Sequence, residues 1–318
     1  MTDAGEDYLE PLDDPLQRLA AEGGWDERAR AIEADVARER RRALRRIPRV
    51  RRRPAGVSRA GVSRAGVSWL FLLLVALAGA SGWAMWSGVV PRQAAVFTFI
   101  LTGWLVTLCL HEYAHALVAH RGGDDTIVEK GYLRLNPLKY GHPVLTFLLP
   151  LFALLTGGLP LPGGAVQVES DRLRSRHRDA LVSMAGPAVN IVAAGVLLTV
   201  LAVLGPDGIY DLGEPHAVFW AGLTLLAYLQ VASAALNLLP IPGLDGYGMI
   251  EHYLPERVQE IGRKIRPFGL LVVFLLLYLP PVRQGFGDLT LWITESSGTP
   301  VNGIYYGYQI FQFWRGWF

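Results

Sequence analysis

Long runs without a single charge alternate with short charged stretches along this chain. The uncharged runs are Ala65–Pro91, Gln93–Leu110, the front half of Pro143–Ser170, Ala180–Pro206, Ala217–Leu244, Pro267–Val282 and Gly298–Trp314. Runs of about 18 or more apolar residues are long enough to cross a bilayer as helices. The apolar stretch Pro143–Thr156 is too short for that and suits a re-entrant segment. Two shorter pieces alternate with period two, as half-buried strands do. One is Tyr132–Asn136, in a hairpin-like stretch Thr126–Asn136 with Lys130-Gly131 as its turn; the other is Gly164–Glu169, after a Gly-Pro turn. The pattern predicts an all-α polytopic membrane protein with about six transmembrane helices, a small membrane-associated β-hairpin or sheet, and one re-entrant segment.

Composition agrees with a bilayer as solvent. Of 318 residues, 51% are hydrophobic, too many for an ordinary soluble domain. The first span follows a long charged segment, so it is not a cleaved signal peptide. That segment is acid-rich over Met1–Asp35 and arginine-rich over Arg38–Arg64, including Arg40-Arg41-Arg42 and Arg51-Arg52-Arg53. Positive charge beside the first span predicts a cytoplasmic N-terminus in a multi-pass cell-membrane protein. The same arginines can meet anionic lipid headgroups. Nucleic acid is not expected as a partner, because position beside a span already accounts for the charge. Ala55–Ser68 repeats AGVSR and reads as a flexible tether. The chain then divides into an arm over 1–68, a membrane core over 69–282, and a membrane or interfacial segment over 283–318. Arg121, Lys130, Arg134 and Lys139 on one loop, with Arg172, Arg174, Arg176 and Arg178 on another, predict cytoplasmic loops, whereas Pro206–Pro215 has acids without Lys or Arg and reads as an outside loop. Glu251–Arg266 is charged and amphipathic, suited to the cytoplasmic face. Cys109 is the only cysteine, which excludes an intrachain disulfide and a cysteine-based zinc site. A homo-oligomer is compatible with the sequence.

Candidate chemistry enters at His111-Glu112-Tyr113-Ala114-His115, directly after an uncharged run. Charged residues at hydrocarbon depth cost on the order of 2.5–3.5 kcal/mol each at a helix centre. On a helix, i and i+4 share a face, so His111 and His115 can address one cation. Glu112 sits beside the first histidine, placed to act on a metal-activated water rather than to ligate.

A catalytic zinc takes three protein ligands. The metzincin pattern cannot supply the third, because position 118 is Val and position 121 is Arg. Glu129 and Asp245 are the two carboxylates in question. Asp245 has the stronger physical case: Pro240 and Pro242 break the span just before it, and Gly243 and Gly246 allow tight turns around it. Irregular backbone at membrane depth persists only where it lines protein or a cavity.

These residues resemble the site-2 protease family of intramembrane metalloproteases, in a form without the PDZ or CBS domains that many members carry. His111, Glu112 and His115 match its first signature, and Asn237, Pro240, Leu244, Asp245 and Gly246 match its second, with Gly186-Pro187-Ala188-Val189-Asn190 between them. The resemblance covers about residues 68–282. It implies one catalytic Zn2+ on His111, His115 and Asp245, with Glu112 as proton carrier and Asn237 orienting the scissile carbonyl or stabilising the oxyanion. Asn190 reads as an inter-helix hydrogen-bonding residue behind small neighbours. The substrate implied is a transmembrane protein of the anti-sigma-factor kind, unwound before cleavage. Val166 and Val168, on the expected Gly164–Glu169 edge, are the candidate substrate-binding residues. His120, His142, His177, His216 and His252 match neither motif. The competing readings are a membrane metal-ion carrier and a catalytically inactive membrane scaffold.

Overall fold

The computed structural model describes residues 66–140, 149–157, 166–206 and 216–317, together with Ala34 and Arg38. The described residues from 66 onward belong to one compact unit, Val62–Phe318, which carries everything that follows. The arm, the arginine series and most of the tether lie outside the described residues, as do the Pro206–Pro215 loop beyond its first residue and the front of the expected re-entrant segment.

Among the described residues, four helices are long and apolar enough to cross a membrane: α1 (Trp69–Ser87), α2 (Arg92–Gly122), α5 (Arg176–Leu204) and α6 (Ala217–Asn237). Between them lie α3 (Thr126–Glu129) and α4 (Leu149–Gly157), and after them α7 (Asp245–Ile250), α8 (Glu256–Ile265), α9 (Gly269–Tyr278), α10 (Pro280–Glu295) and α11 (Asn302–Phe311). Glu256–Tyr278 and Pro280–Glu295 together also pass as apolar, but they bend by 93° at the Pro280-Pro281 pair. The count is therefore four spans, or five with the bent pair, where the apolar runs predict about six. The shortfall has two sources. The Pro267–Val282 run yields the ten-residue α9 before the chain turns by 93°, and Gly298–Trp314 yields the ten-residue α11. At 1.5 Å per residue neither reaches across a hydrocarbon core of about 30 Å.

Start and stop signals fit the elements. Ser68 caps α1 by accepting Phe71 N–H at 3.1 Å, and Ser175 does the same for α5 through Arg178 N–H at 3.4 Å. Pro91 precedes α2, where the helix needs no donor. Inside the bundle, α6 is enclosed on all sides by α1, α2, α5, α10 and α11. Its residues Leu225, Ala227 and Leu229 are inaccessible to solvent. The outer faces of α1 and α5 instead expose Leu72, Leu77, Ile191 and Val203, the pattern of a lipid-facing surface.

The expected β-hairpin is absent: no strand occurs among the described residues. Thr126–Glu129 is a helical turn, Gly131 takes a left-handed turn at φ 76°, and Tyr132–Arg134 is a short 3-10 helix. The alternation there has another cause. Tyr132 and Leu133 pack with Ile127 and Tyr140 beneath the end of α2, so burial comes from one tertiary cluster and not from pairing with a second strand. Val166–Glu169 likewise has no regular structure.

Candidate active site

The site is built where α2, α5 and α7 meet. His111 lies 19 residues into α2, about 29 Å from its start, so the apolar part of the helix is nearly spent when the histidines arrive. Asp245 is the first residue of α7. The chain reaches it from α6 through Leu238–Leu244, where Leu244 N–H donates to Ile241 O at 2.9 Å. Gly243 holds φ 104° in that turn, a conformation that a side chain disfavours.

Three ligand side chains converge. His111 Nε2 and His115 Nε2 are 3.0 Å apart, and Asp245 Oδ2 and Oδ1 lie 3.3 and 3.4 Å from them. Four-coordinate zinc with ligands about 2.0–2.1 Å away has tetrahedral edges of about 3.3 Å, so this triangle is the size the ion requires. Among the described residues, no other cluster of His, Cys, Asp and Glu meets that test.

The helix α5 aims the imidazoles. His111 Nδ1 donates to Asn190 Oδ1 at 2.8 Å, and His115 Nδ1 donates to Val182 O at 2.7 Å. Each hydrogen bond fixes a tautomer that leaves Nε2 free for a metal. Pro187 lacks an N–H for the carbonyl one turn before it, and the opened helix turn lies beside Val182. Gly186 forms the floor of the site. A Cβ there would fall 2.2 Å from His115 Nε2 and 2.4 Å from His111 Nε2, in the space the ion needs.

Glu112 is buried and its Oε2 accepts the N–H of Val166 at 3.0 Å. One carboxylate oxygen is thus anchored and the other is left for a proton. The Val166–Arg172 segment is tied down elsewhere too. Asp124, buried beyond the end of α2, accepts Thr126 N–H at 3.0 Å on Oδ1 and Glu169 N–H at 2.9 Å on Oδ2. Lys130 Nζ donates to Gln167 O at 2.9 Å and to Glu169 Oε1 at 3.2 Å. That bond, with help from Arg172, holds the Glu169 carboxyl below its usual range.

A cavity of about 430 Å³ opens beside the triad, lined by His115 and Asp245, by Val166 and Val168, and farther out by Arg263 and Arg266. The two candidate substrate-binding valines therefore face the site, although on irregular backbone. Asn237 is buried at the end of α6, eight residues before Asp245. Glu129 is exposed on α3 and outside the cluster. The sequence makes Asn190 an inter-helix hydrogen-bonding residue without naming its partner, which is His111; beyond that reading lie Asp124 as the anchor of the covering segment and His252, which pairs with Asp179. Asn190 carried a signal, its position four residues after Gly186, because that spacing returns it to the same face of α5. Replacing it with Ala is expected to weaken zinc binding about 10–100-fold, read by competition with a chromophoric chelator. Unchanged affinity would show that the His111 tautomer is fixed by other means.

A helical membrane protein that closes two histidines and an aspartate around a tetrahedral position, with a buried glutamate alongside, has the constitution of a membrane metalloprotease. Similarity to known proteins agrees. A protein of Mycolicibacterium smegmatis named "putative zinc metalloprotease Rip2" is 40% identical over 253 residues, which is 78% of this chain and 95% of the relative. The Mycobacterium tuberculosis protein of that name is 39% identical over 246 residues, covering 77% of this chain and 92% of the relative. A Bacillus subtilis protein bearing the same description, YwhC, is 32% identical over 208 residues, 64% of this chain and 89% of the relative. No family model matches, and no solved structure is significantly similar. The chain belongs to the site-2 protease family of zinc metalloproteases.

Proposed function

We propose that the chain is a zinc-dependent endopeptidase that cleaves transmembrane segments of membrane-anchored regulatory proteins, of which anti-sigma factors are the type. The observation carrying this reading is the meeting of His111, His115 and Asp245 within 3.4 Å, at the end of an apolar helix, with Glu112 beside them. Depth in the membrane is supported by an apolar groove of about 560 Å³ between α1, α2 and α5, lined by Val75, Ala78, Gly103, Val192 and Leu110, the last adjacent to His111. A segment too apolar for water could approach the site along such a cleft. The arginine-rich loops support a cytoplasmic N-terminus and a site that opens to the same side.

A bound zinc ion supplies Lewis acidity and a water whose pKa falls to about 7. His111, His115 and Asp245 would hold it. Glu112 takes a proton on its unanchored oxygen and returns it to the departing amine, while the Val166 N–H keeps the carboxylate aimed. Asn237 offers an amide donor to the scissile carbonyl oxygen. Val166 and Val168 contact the unwound substrate along the cavity wall and keep water out of it.

The first test needs no substrate. Purified without chelator, the chain is expected to hold about one zinc per molecule, retained in Glu129→Ala and lost in Asp245→Ala. Loss in Glu129→Ala with retention in Asp245→Ala would overturn the ligand assignment. A wild type that cannot be loaded with zinc would overturn the enzyme reading.

A further inference from the structure

We propose that α8 is a membrane-surface helix that seats its exposed apolar edge among anionic lipid headgroups and so braces the segment carrying Asp245. The inference does not depend on peptide hydrolysis. Val258, Ile261 and Ile265 recur at i, i+3 and i+7, which puts them on one narrow arc. Most of that arc is open: Val258 is 41% exposed and Ile261 56%, Ile265 is half-buried, and Phe268 just beyond is 59% exposed. Exposed Arg257 and Lys264 border one side of the arc, while Glu256 and Glu260 lie on the opposite face. Apolar residues bordered by cations, with the acids turned away, suit a headgroup layer of negative charge.

Two further observations choose the bilayer over a protein. The apolar α9 begins four residues after α8 ends, so α8 sits where the chain passes into an apolar segment. A second copy docked face to face would bring Arg257 and Lys264 against their own equivalents, and like charges oppose that contact.

The inner side of α8 reaches the site. Gly262 lies so close to Tyr247 that a Cβ would fall 1.8 Å from its hydroxyl, and Tyr247 O–H donates to Val258 O at 3.4 Å. Arg266 pairs with Glu251, just after α7. Tyr247 and Glu251 both follow Asp245 within a few residues, so a displacement of α8 moves the helix that starts with the proposed ligand.

The test uses the full chain in a Cys109→Ser background, with Ile261→Cys or Glu260→Cys labelled by an environment-sensitive fluorophore. Each is reconstituted into vesicles of phosphatidylcholine alone or mixed with phosphatidylglycerol. Brominated acyl chains should quench the label at 261 several-fold more strongly in the anionic vesicles, and the label at 260 should remain open to aqueous acrylamide. The double substitution Arg257→Glu, Lys264→Glu should remove the phosphatidylglycerol increment while the protein elutes as the wild type does. Three results would overturn the proposal: equal acrylamide access at both positions, an increment that survives charge reversal, or a label at 261 shielded from both quenchers, as a protein partner would shield it. An increment that vanishes when residues 1–61 are deleted would assign the lipid effect to the arm and overturn it as well.

Discussion

Glu112→Gln is expected to bind one zinc per chain and to lose about 10²–10⁴-fold of its turnover, the usual contribution of a positioned proton carrier. The substitution is nearly isosteric, and an amide oxygen can still accept the Val166 N–H that now bonds to Oε2 at 3.0 Å. His111, His115 and Asp245 keep their places. The change is confined to the other oxygen, which becomes an NH₂ group unable to take a proton at neutral pH. Zinc content measured beside cleavage of a membrane-anchored substrate separates the two effects. Full zinc with full turnover would remove Glu112 from the chemistry, whereas lost zinc would make it a structural part of the site.

Gly186→Ala should act on the metal with equal force, without touching a ligand. The added methyl would occupy space 2.2 and 2.4 Å from the two Nε2 atoms, closer than any carbon can approach unless α2 and α5 separate. Separation would also strain the Asn190 and Val182 hydrogen bonds that orient both rings. We expect no retained zinc, no activity, and a stability loss of about 1–3 kcal/mol, as for other overpacked interiors. Gly195→Ala on the same helix is the control. Nothing lies within 4 Å of its Cβ, so zinc should be kept, and the better helix propensity of Ala should be neutral or slightly stabilising. A zinc-replete Gly186→Ala chain would mean that the ion sits elsewhere.

The sequence exposed the site more fully than the fold around it. His111, Glu112 and His115 are legible because helical spacing alone puts them together, and Asp245 because two prolines and two glycines announce a break where a carboxylate would otherwise be costly. The span count is overstated because hydropathy reports an apolar run, not the length of helix that it forms. Gly298–Trp314 is apolar since α11 packs against α2 and α6, with Ile304 and Phe311 buried. The strand reading failed on Tyr132–Asn136 because the alternation of residue types there is not an alternation of burial: the adjacent Tyr132 and Leu133 are both buried, on a 3-10 turn pressed against one cluster. Asp124 escaped notice for a simpler reason. Its hold on the covering segment runs through Glu169, 45 residues away, and no local pattern marks such a pair.

The distance along the chain between the halves of the site has a consequence for biosynthesis. His115 and Asp245 are separated by 130 residues (245 minus 115), with α5 and its Asn190 made in between. At the usual pace of translation, a growing chain holds its histidines in the membrane for roughly 10 s before the aspartate exists. Throughout that interval the nascent protein lacks one side of its triangle, so neighbouring proteins entering the bilayer meet an inert helix, and proteolytic capacity begins only once the whole bundle has assembled.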